Sequence, residues 1–546
     1  MGSTRTACAG RVGRLSVAVL VVCGLYVCAA CGDDSQAESL TAADGGVEVV
    51  LTGTEHPFVA LDDGVIEGRW FVGGLRAFLG VPFAKPPLGE LRWKAPEKNR
   101  PWSGTRDAGK FSPRCPQPPS SDPLNVESED CLYLNVWTPT DAKKLPVMVW
   151  IHGGGNVNGS GSEWVYDGQQ LASRGVVLVS INYRLGVFGF FGHEGLSDGG
   201  ASAGNAGNAG NAGNQGLWDQ QRALRWVHDN IAKLGGDPDN VTIFGESAGS
   251  VDVCMHMASP ASRGLFHRAI SQSGGCTTVR GTLTSAQRTA ARFATQLGCA
   301  DAVPLACLRQ KSIVELVDGA SAFSGSFNVI VDGSFMPEQP RALFDRGEVA
   351  KVPYMLGSTT DEGSYWTLDA TGITNDEQYL EALKQRFSEP VQPIADLYPV
   401  SQFAEAKDPY KAAITRIWGD ARLVCPTVDV ARRALALDLP VYLYNWDIPV
   451  DDVIGVAHAS ELVFVFGTNQ FFTPETLPVS EQMQSYWTNF SKTGDPNGAD
   501  LLEWPKSPAN GNLRINFNLE STIIPDFRAR ECDFWIERSN AAFAMP

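Results

Sequence analysis

An α/β fold, with a large and mostly parallel central sheet covered by helices on both faces, is what this sequence predicts. Three observations lead there. Short apolar runs recur along the chain, at Val147–Ile151, Val176–Ile181, Val241–Phe244, Ala269–Ser273, Val352–Leu356 and Val441–Tyr444, and suit strands buried on both sides. Between two of them Leu217, Leu224, Val227, Ile231 and Leu234 form a stripe at helical spacing, which Gly235-Gly236-Asp237-Pro238 then ends. Strand and helix alternate in this way over several hundred residues, the pattern of crossover connections between parallel strands.

Length and composition agree with one large fold. The chain has 546 residues, 43% of them hydrophobic and 19% charged, an ordinary globular balance. Its formal charge of -17 repels polyanions, which argues against nucleic acid and anionic lipid headgroups as partners. No linker after residue 47 is long enough to divide the chain, so residues 47–546 are expected to form a single domain.

The N-terminus reads as an export signal. Arg5, Arg11 and Arg14 precede an apolar run from Leu15 to Cys31, which Gly32, Asp33, Asp34 and Ser35 end. That run falls short of the roughly 20 apolar residues that span a bilayer comfortably. Val27-Cys28-Ala29-Ala30-Cys31-Gly32 resembles a bacterial lipoprotein cleavage box, with Cys28 as a departure. The resemblance makes Cys31 the lipidated first residue of the mature chain, residues 1–31 a signal segment and residues 32–46 a tether. A lipid at Cys31 would be the protein's one link to a membrane.

Residues 203–214 repeat Ala-Gly-Asn four times, a tract without apolar surface to bury and therefore expected to be a surface loop. No metal is expected: there is no H-E-x-x-H, no cysteine pair has zinc-site spacing, and only seven histidines occur. Nothing calls for a cofactor either.

The motif that carries chemistry is G-x-S-x-G, in which glycines on either side let a serine sit on a tight strand-to-helix turn. It occurs around Ser197, Ser202 and Ser247. Ser197 and Ser202 lie in a Gly- and Ala-rich run with no strand before them. Ser247 follows Val241-Thr242-Ile243-Phe244 and precedes an apolar stretch from Val251 to Met257, so it is the expected nucleophile. His152-Gly153-Gly154-Gly155 follows another strand. The backbone N–H groups of Gly154 and Gly155, with that of Ala248 at the helix start, are expected to form an oxyanion hole.

Around these residues the sequence resembles the type-B carboxylesterase family, which includes the cholinesterases, and with it the α/β-hydrolase fold. The resemblance rests on Phe78-Leu79-Gly80-Val81-Pro82-Phe83-Ala84, on Glu129-Asp130-Cys131-Leu132-Tyr133-Leu134-Asn135-Val136, and on Phe244-Gly245-Glu246-Ser247-Ala248-Gly249, and runs from about residue 50 to 535. It implies that Glu362, in Asp361-Glu362-Gly363, is the triad acid, with Asp361 the neighbour to test next. His458 is the only histidine after that acid, so composition and resemblance agree on the base. Glu246 and Ser273 match positions of a buried polar network beside the triad.

The resemblance further implies disulfides Cys115–Cys131, Cys299–Cys307 and Cys425–Cys532, leaving Cys254 and Cys276 as buried free thiols. It also implies buried ion pairs Arg92–Glu129 and Arg184–Asp219. The expected activity is hydrolysis of small-molecule carboxylic esters. A lactonase or amidase with the same triad is the alternative, and a non-catalytic adhesion homologue, given a complete triad, the least favoured. A preference for choline is not expected. The stretch from Cys115 to Cys131 contains no aromatic residue, Gly325 stands where cholinesterases carry a bulky aromatic, and Thr277-Thr278 contains no Trp. Phe323, Phe327, Tyr365 and Trp366 are the candidate pocket walls.

Overall fold

A computed structural model describes residues 56–119, 126–196, 213–300, 304–451, 454–468 and 472–544. Cys31 and the export segment, the tether, Ser197, Ser202 and most of the Ala-Gly-Asn tract lie outside them.

Among the described residues eleven strands form the main sheet: β1 (Arg69–Phe71), β2 (Leu75–Pro82), β3 (Tyr133–Pro139), β4 (Leu145–Ile151), β5 (Val177–Ile181), β6 (Gly236–Glu246), β7 (Arg268–Gln272), β8 (Tyr354–Thr359), β9 (Val441–Trp446), β10 (Arg514–Phe517) and β11 (Thr522–Ile524). Their order across the sheet is β11-β10-β9-β8-β7-β6-β4-β5-β3-β2-β1. From β5 to β10 neighbouring strands are parallel, and the strands beyond either end pair antiparallel.

Strand parity sorts side chains onto the two faces. Val147, Val149, Ile151, Val241 and Ile243 join one core with Leu217, Leu224 and Val227 of helix α1 (Gln215–Asn230). Met148, Trp150 and Phe244 join the other. Both faces are covered, which is why the strands read as continuous apolar runs. The helical stripe ends in a 3-10 turn, Ile231–Leu234, capped by Gly235 at φ 90°. Strand β6 then starts at Gly236, ahead of the apolar run that announced it at Val241, because Gly236 already pairs with Leu145.

Helix α2 (Ala248–Ala258) follows β6 directly. A third cluster collects Ile414 and Ile417 of α3 (Pro409–Gly419), Val428 of α4 (Cys425–Leu435) and Trp535 of the C-terminal helix α6 (Ala529–Ala544). Helix α5 (Leu477–Thr493) lays Met483, Trp487 and Phe490 on the Trp150 face.

Cys115–Cys131, Cys299–Cys307 and Cys425–Cys532 are bonded as expected. Cys254 and Cys276 are not free thiols: they form a fourth disulfide. Strand β7 runs parallel to β6, and α2 packs back along both, so the middle of α2 comes level with the loop that leaves β7. Both expected ion pairs are buried. Arg184 holds Asp219 through Nε and Nη2 at 2.7 Å each, and Arg92 holds both carboxylate oxygens of Glu129. Among the described residues no helix is long and apolar enough to cross a membrane.

Candidate active site

Ser247 sits at the junction of β6 and α2 with φ 56° and ψ -119°, a backbone conformation that a non-glycine residue holds only under strain. Its neighbours explain how the turn closes. A Cβ at Gly249 would lie 2.0 Å from the carbonyl oxygen of Ile151, and one at Gly245 would lie 2.6 Å from the backbone of Gly249. The Ser247 N–H is held by the carbonyl of Gln272 at 2.9 Å.

The loop after β4 passes in front of this turn. Gly154 and Gly155 have φ of 96° and 66°, which favours glycine at both. A Cβ at Gly153 would meet Glu246 Oε2 at 2.7 Å and Ser247 Cβ at 3.1 Å, so the loop touches the elbow itself. Among the described residues the backbone N–H groups of Gly154, Gly155 and Ala248 donate no hydrogen bond. Three donors thus stand unused beside a serine, one of them at the positive end of α2.

His458 comes from the loop after β9. Its Nδ1 lies 2.5 Å from Glu362 Oε2. The other oxygen of Glu362 accepts the Thr359 N–H at 2.7 Å, which fixes the carboxylate. His458 Nε2 lies 2.9 Å from Glu246 Oε1 without hydrogen-bond alignment, and both atoms are otherwise unpartnered. Burial works against a charge on His458, but the carboxylates of Glu246 and Glu362 outweigh it and push the imidazole well above its ordinary value.

Asp361, next to Glu362, faces the other way. It meets Arg416 Nη2 at 3.2 Å and accepts the Val456 N–H at 3.1 Å. One position along the chain thus separates a carboxylate on the imidazole from one in a half-exposed ion pair.

Glu461, three residues after His458, went unassigned in the sequence. It is fully buried, accepts from Gln272 Nε2 at 3.1 Å and from Tyr444 at 3.4 Å, and its other oxygen is unpartnered. Burial, then Glu246 and Glu362, push its carboxyl up to about 8. Ser273, just past the end of β7 with φ 60°, has a buried hydroxyl without a hydrogen-bond partner among the described residues, and the acids that Glu461 feels are Glu246 and Glu362.

The aromatic candidates separate into core and wall. Phe327 is buried and packs with Phe323, Phe293 and Phe191, as core does. Phe323 also covers Gly325, where a Cβ would lie 2.4 Å from its ring, so that glycine leaves less space than its size implies. Trp366 is different. It is 44% exposed, sits edge-on to His458 at 5.0 Å and stacks on Trp418 at 4.4 Å. Tyr365 is half-buried beside it. Among the described residues no cluster of His, Cys, Asp and Glu is arranged to hold a metal ion.

A family model described as the carboxylesterase family matches residues 55–535. The chain belongs to the carboxylesterase family. Its relatives include the acetylcholinesterase of Bungarus fasciatus, 36% identical over 514 residues, covering 85% of this chain and 82% of that protein. The acetylcholinesterase of Danio rerio is 35% identical over 544 residues, covering 84% of each. The solved structure of a PNB esterase superposes with a TM-score of 0.76 at 34% identity, over 88% of this chain and all of that one. This carboxylesterase is a carboxylic ester hydrolase with the α/β-hydrolase fold. The four disulfides among the described residues are those of an exported protein.

Proposed function

We propose that this carboxylesterase hydrolyses uncharged carboxylic esters through Ser247, His458 and Glu362. The observation that carries this reading is the 2.5 Å contact of His458 Nδ1 with a buried Glu362, which turns Nε2 away from that acid and toward Glu246, the residue before Ser247. Ser247 Oγ attacks the ester carbonyl carbon while His458 Nε2 takes its proton. Glu362 keeps the imidazole oriented and steadies its positive charge. The carbonyl oxygen, now anionic, receives the N–H groups of Gly154, Gly155 and Ala248. Collapse of the adduct expels the alcohol, which takes the proton from His458. Water, deprotonated by the same nitrogen, then cleaves the acyl-enzyme and frees Ser247.

Trp366 gives the pocket an apolar wall beside His458. The absence of any aromatic residue between Cys115 and Cys131 argues against a choline preference. Export with a lipid on Cys31 completes the reading, and a mature N-terminus other than Cys31 by mass spectrometry would end that part of it.

Ser247→Ala should lower kcat on the order of a million-fold and leave the protein folded. An organophosphonate ester should label Ser247, and label on Ser197 or Ser202 instead would overturn the assignment. A panel of esters, lactones and anilides on the wild type should favour the esters.

A further inference from the structure

Gly153, Gly154 and Gly155, the last two of which present oxyanion donors, are the most pliant backbone in the site, and something must hold them. Their flanks are His152 and Asn156, and both are tied down. Asn156 is buried and adopts φ 60°. Its backbone carbonyl accepts the Gly186 N–H at 2.7 Å. The Tyr183 hydroxyl reaches the carbonyl of His152 at 2.8 Å and Asn156 Oδ1 at 3.1 Å, while the His152 and Tyr183 rings stack at 4.4 Å.

The remaining tie comes from helix α2. Asn156 Nδ2 donates to Asp252 Oδ1 at 3.1 Å. Asp252 lies four residues after Ala248, on the same helix face one turn deeper. Its other oxygen accepts Gln220 Nε2 at 2.6 Å, and Gln220 Oε1 meets His256 Nε2 at 2.9 Å. His256 Nδ1 in turn meets Ser262 Oγ at 2.7 Å. Asp252, Gln220 and His256 are fully buried. Burial pushes the Asp252 carboxyl up to about 6, so the chain keeps an acid where burial disfavours its charge.

We infer that Asp252 is a positioning residue for the oxyanion hole, tying the loop that carries Gly154 and Gly155 to the helix that carries Ala248. The inference rests on the assignment of those three donors proposed above. A carboxylate only accepts, so it obliges Asn156 to turn its amide N–H inward and its Oδ1 toward Tyr183. That single orientation lets Tyr183 engage both flanks of the glycine run. At Gly249 the helix and β4 touch backbone to backbone with no room for a side chain, so the Asp252–Asn156 bond sets their relative position one turn further along.

The test uses the full-length enzyme, with functional sites counted by phosphonate titration so that kcat refers to folded protein alone. Asp252→Ala should lower kcat roughly ten- to a hundred-fold with little change in KM, because the hole acts on the transition state. Affinity for a trifluoromethyl ketone that forms a tetrahedral adduct should fall by the same factor as kcat/KM. Asp252→Asn should recover most of the loss, since Gln220 can reverse its amide and His256 can exchange tautomers with Ser262 still in reach. Asn156→Gly, which removes the amide but tolerates the positive φ, should match Asp252→Ala, and the double variant should be no worse than either.

A wild-type kcat per titrated site in Asp252→Ala, or a loss confined to KM, would overturn the inference. So would an Asp252→Asn enzyme as impaired as the alanine variant. If Asp252→Ala does not fold, a wild-type kcat in Asn156→Gly overturns it instead. Ser247→Ala separates the two levels: turnover surviving there removes the underlying site assignment, whereas an inactive Ser247→Ala beside an unimpaired Asn156→Gly removes only the role of Asp252.

Discussion

Two loops flank helix α2, and the helix holds each with a different kind of bond. On one side Asp252 reaches the glycine loop after β4 through a hydrogen bond inside a buried polar chain. On the other, Cys254 is joined covalently to Cys276 in the loop after β7, and Ser250 Oγ donates to the carbonyl of Gly274 at 2.7 Å. The two ties differ in what they can do. A disulfide acts largely on the unfolded chain, whose freedom it restricts, and tolerates little adjustment once made. A hydrogen-bonded carboxylate adds little net stability after desolvation but selects one orientation of each group that it touches. The covalent tie is thus a stability device, and the polar tie sets geometry.

The sharpest way to break that comparison is to remove disulfides of different reach. Replacing Cys425 and Cys532 with serine, across a separation of 107 residues, should cost about 5 kcal/mol in the chain-entropy model, read from urea denaturation. Breaking the Arg184–Asp219 pair by Arg184→Met should cost about 3–5 kcal/mol, because a buried carboxylate is left unpaired; an unchanged melting temperature would contradict its burial. Replacing Cys254 and Cys276 spans only 22 residues and should cost about 3 kcal/mol, with kcat per titrated site retained. A large fall in kcat there would mean that the covalent tie sets geometry too, and the contrast with Asp252 would disappear.

Two smaller effects concern the chemistry between the ties. Glu246→Gln removes an anion beside His458, so the imidazole loses its proton more readily and the acidic limb of kcat/KM against pH should move to lower pH. A limb that stays in place would mean that Glu246 does not feel the charge on His458. Matched esters of choline and of its neutral carbon isostere should differ by less than about tenfold in kcat/KM. A larger preference for choline would point to the exposed Trp366 face, backed by Trp418, as a cation platform.

How far the sequence could be read depended on whether a residue's role was local. The parallel strands were legible because a strand buried on both faces must be apolar throughout, as Val177–Ile181 is. The elbow was legible because its glycines answer to contacts within a few residues of Ser247 and with the neighbouring strand end. Asp252 and His256 were not. They lie in a stretch that reads as apolar from Val251 to Met257, and only the packing of α2 against α1 and the glycine loop gives them partners. Glu461 was hidden for the same reason: its neighbours Gln272 and Tyr444 come from other strands. Cys254 and Cys276 are 22 residues apart with a strand between them, and spacing alone does not bring them together.

By itself the sequence determined the fold class, the serine on its strained turn, and a single histidine able to serve an acid that precedes it. Each of these follows from periodicity, from the glycine requirement of a tight turn, or from there being no other candidate. The tertiary structure decided which of two adjacent acids faces the imidazole, that Cys254 pairs with Cys276, and that Trp366 rather than Phe327 is open beside His458. Those outcomes depend on where separate elements meet. A carboxylate or thiol has no preferred partner until packing brings one within about 3 Å and excludes water from the pair.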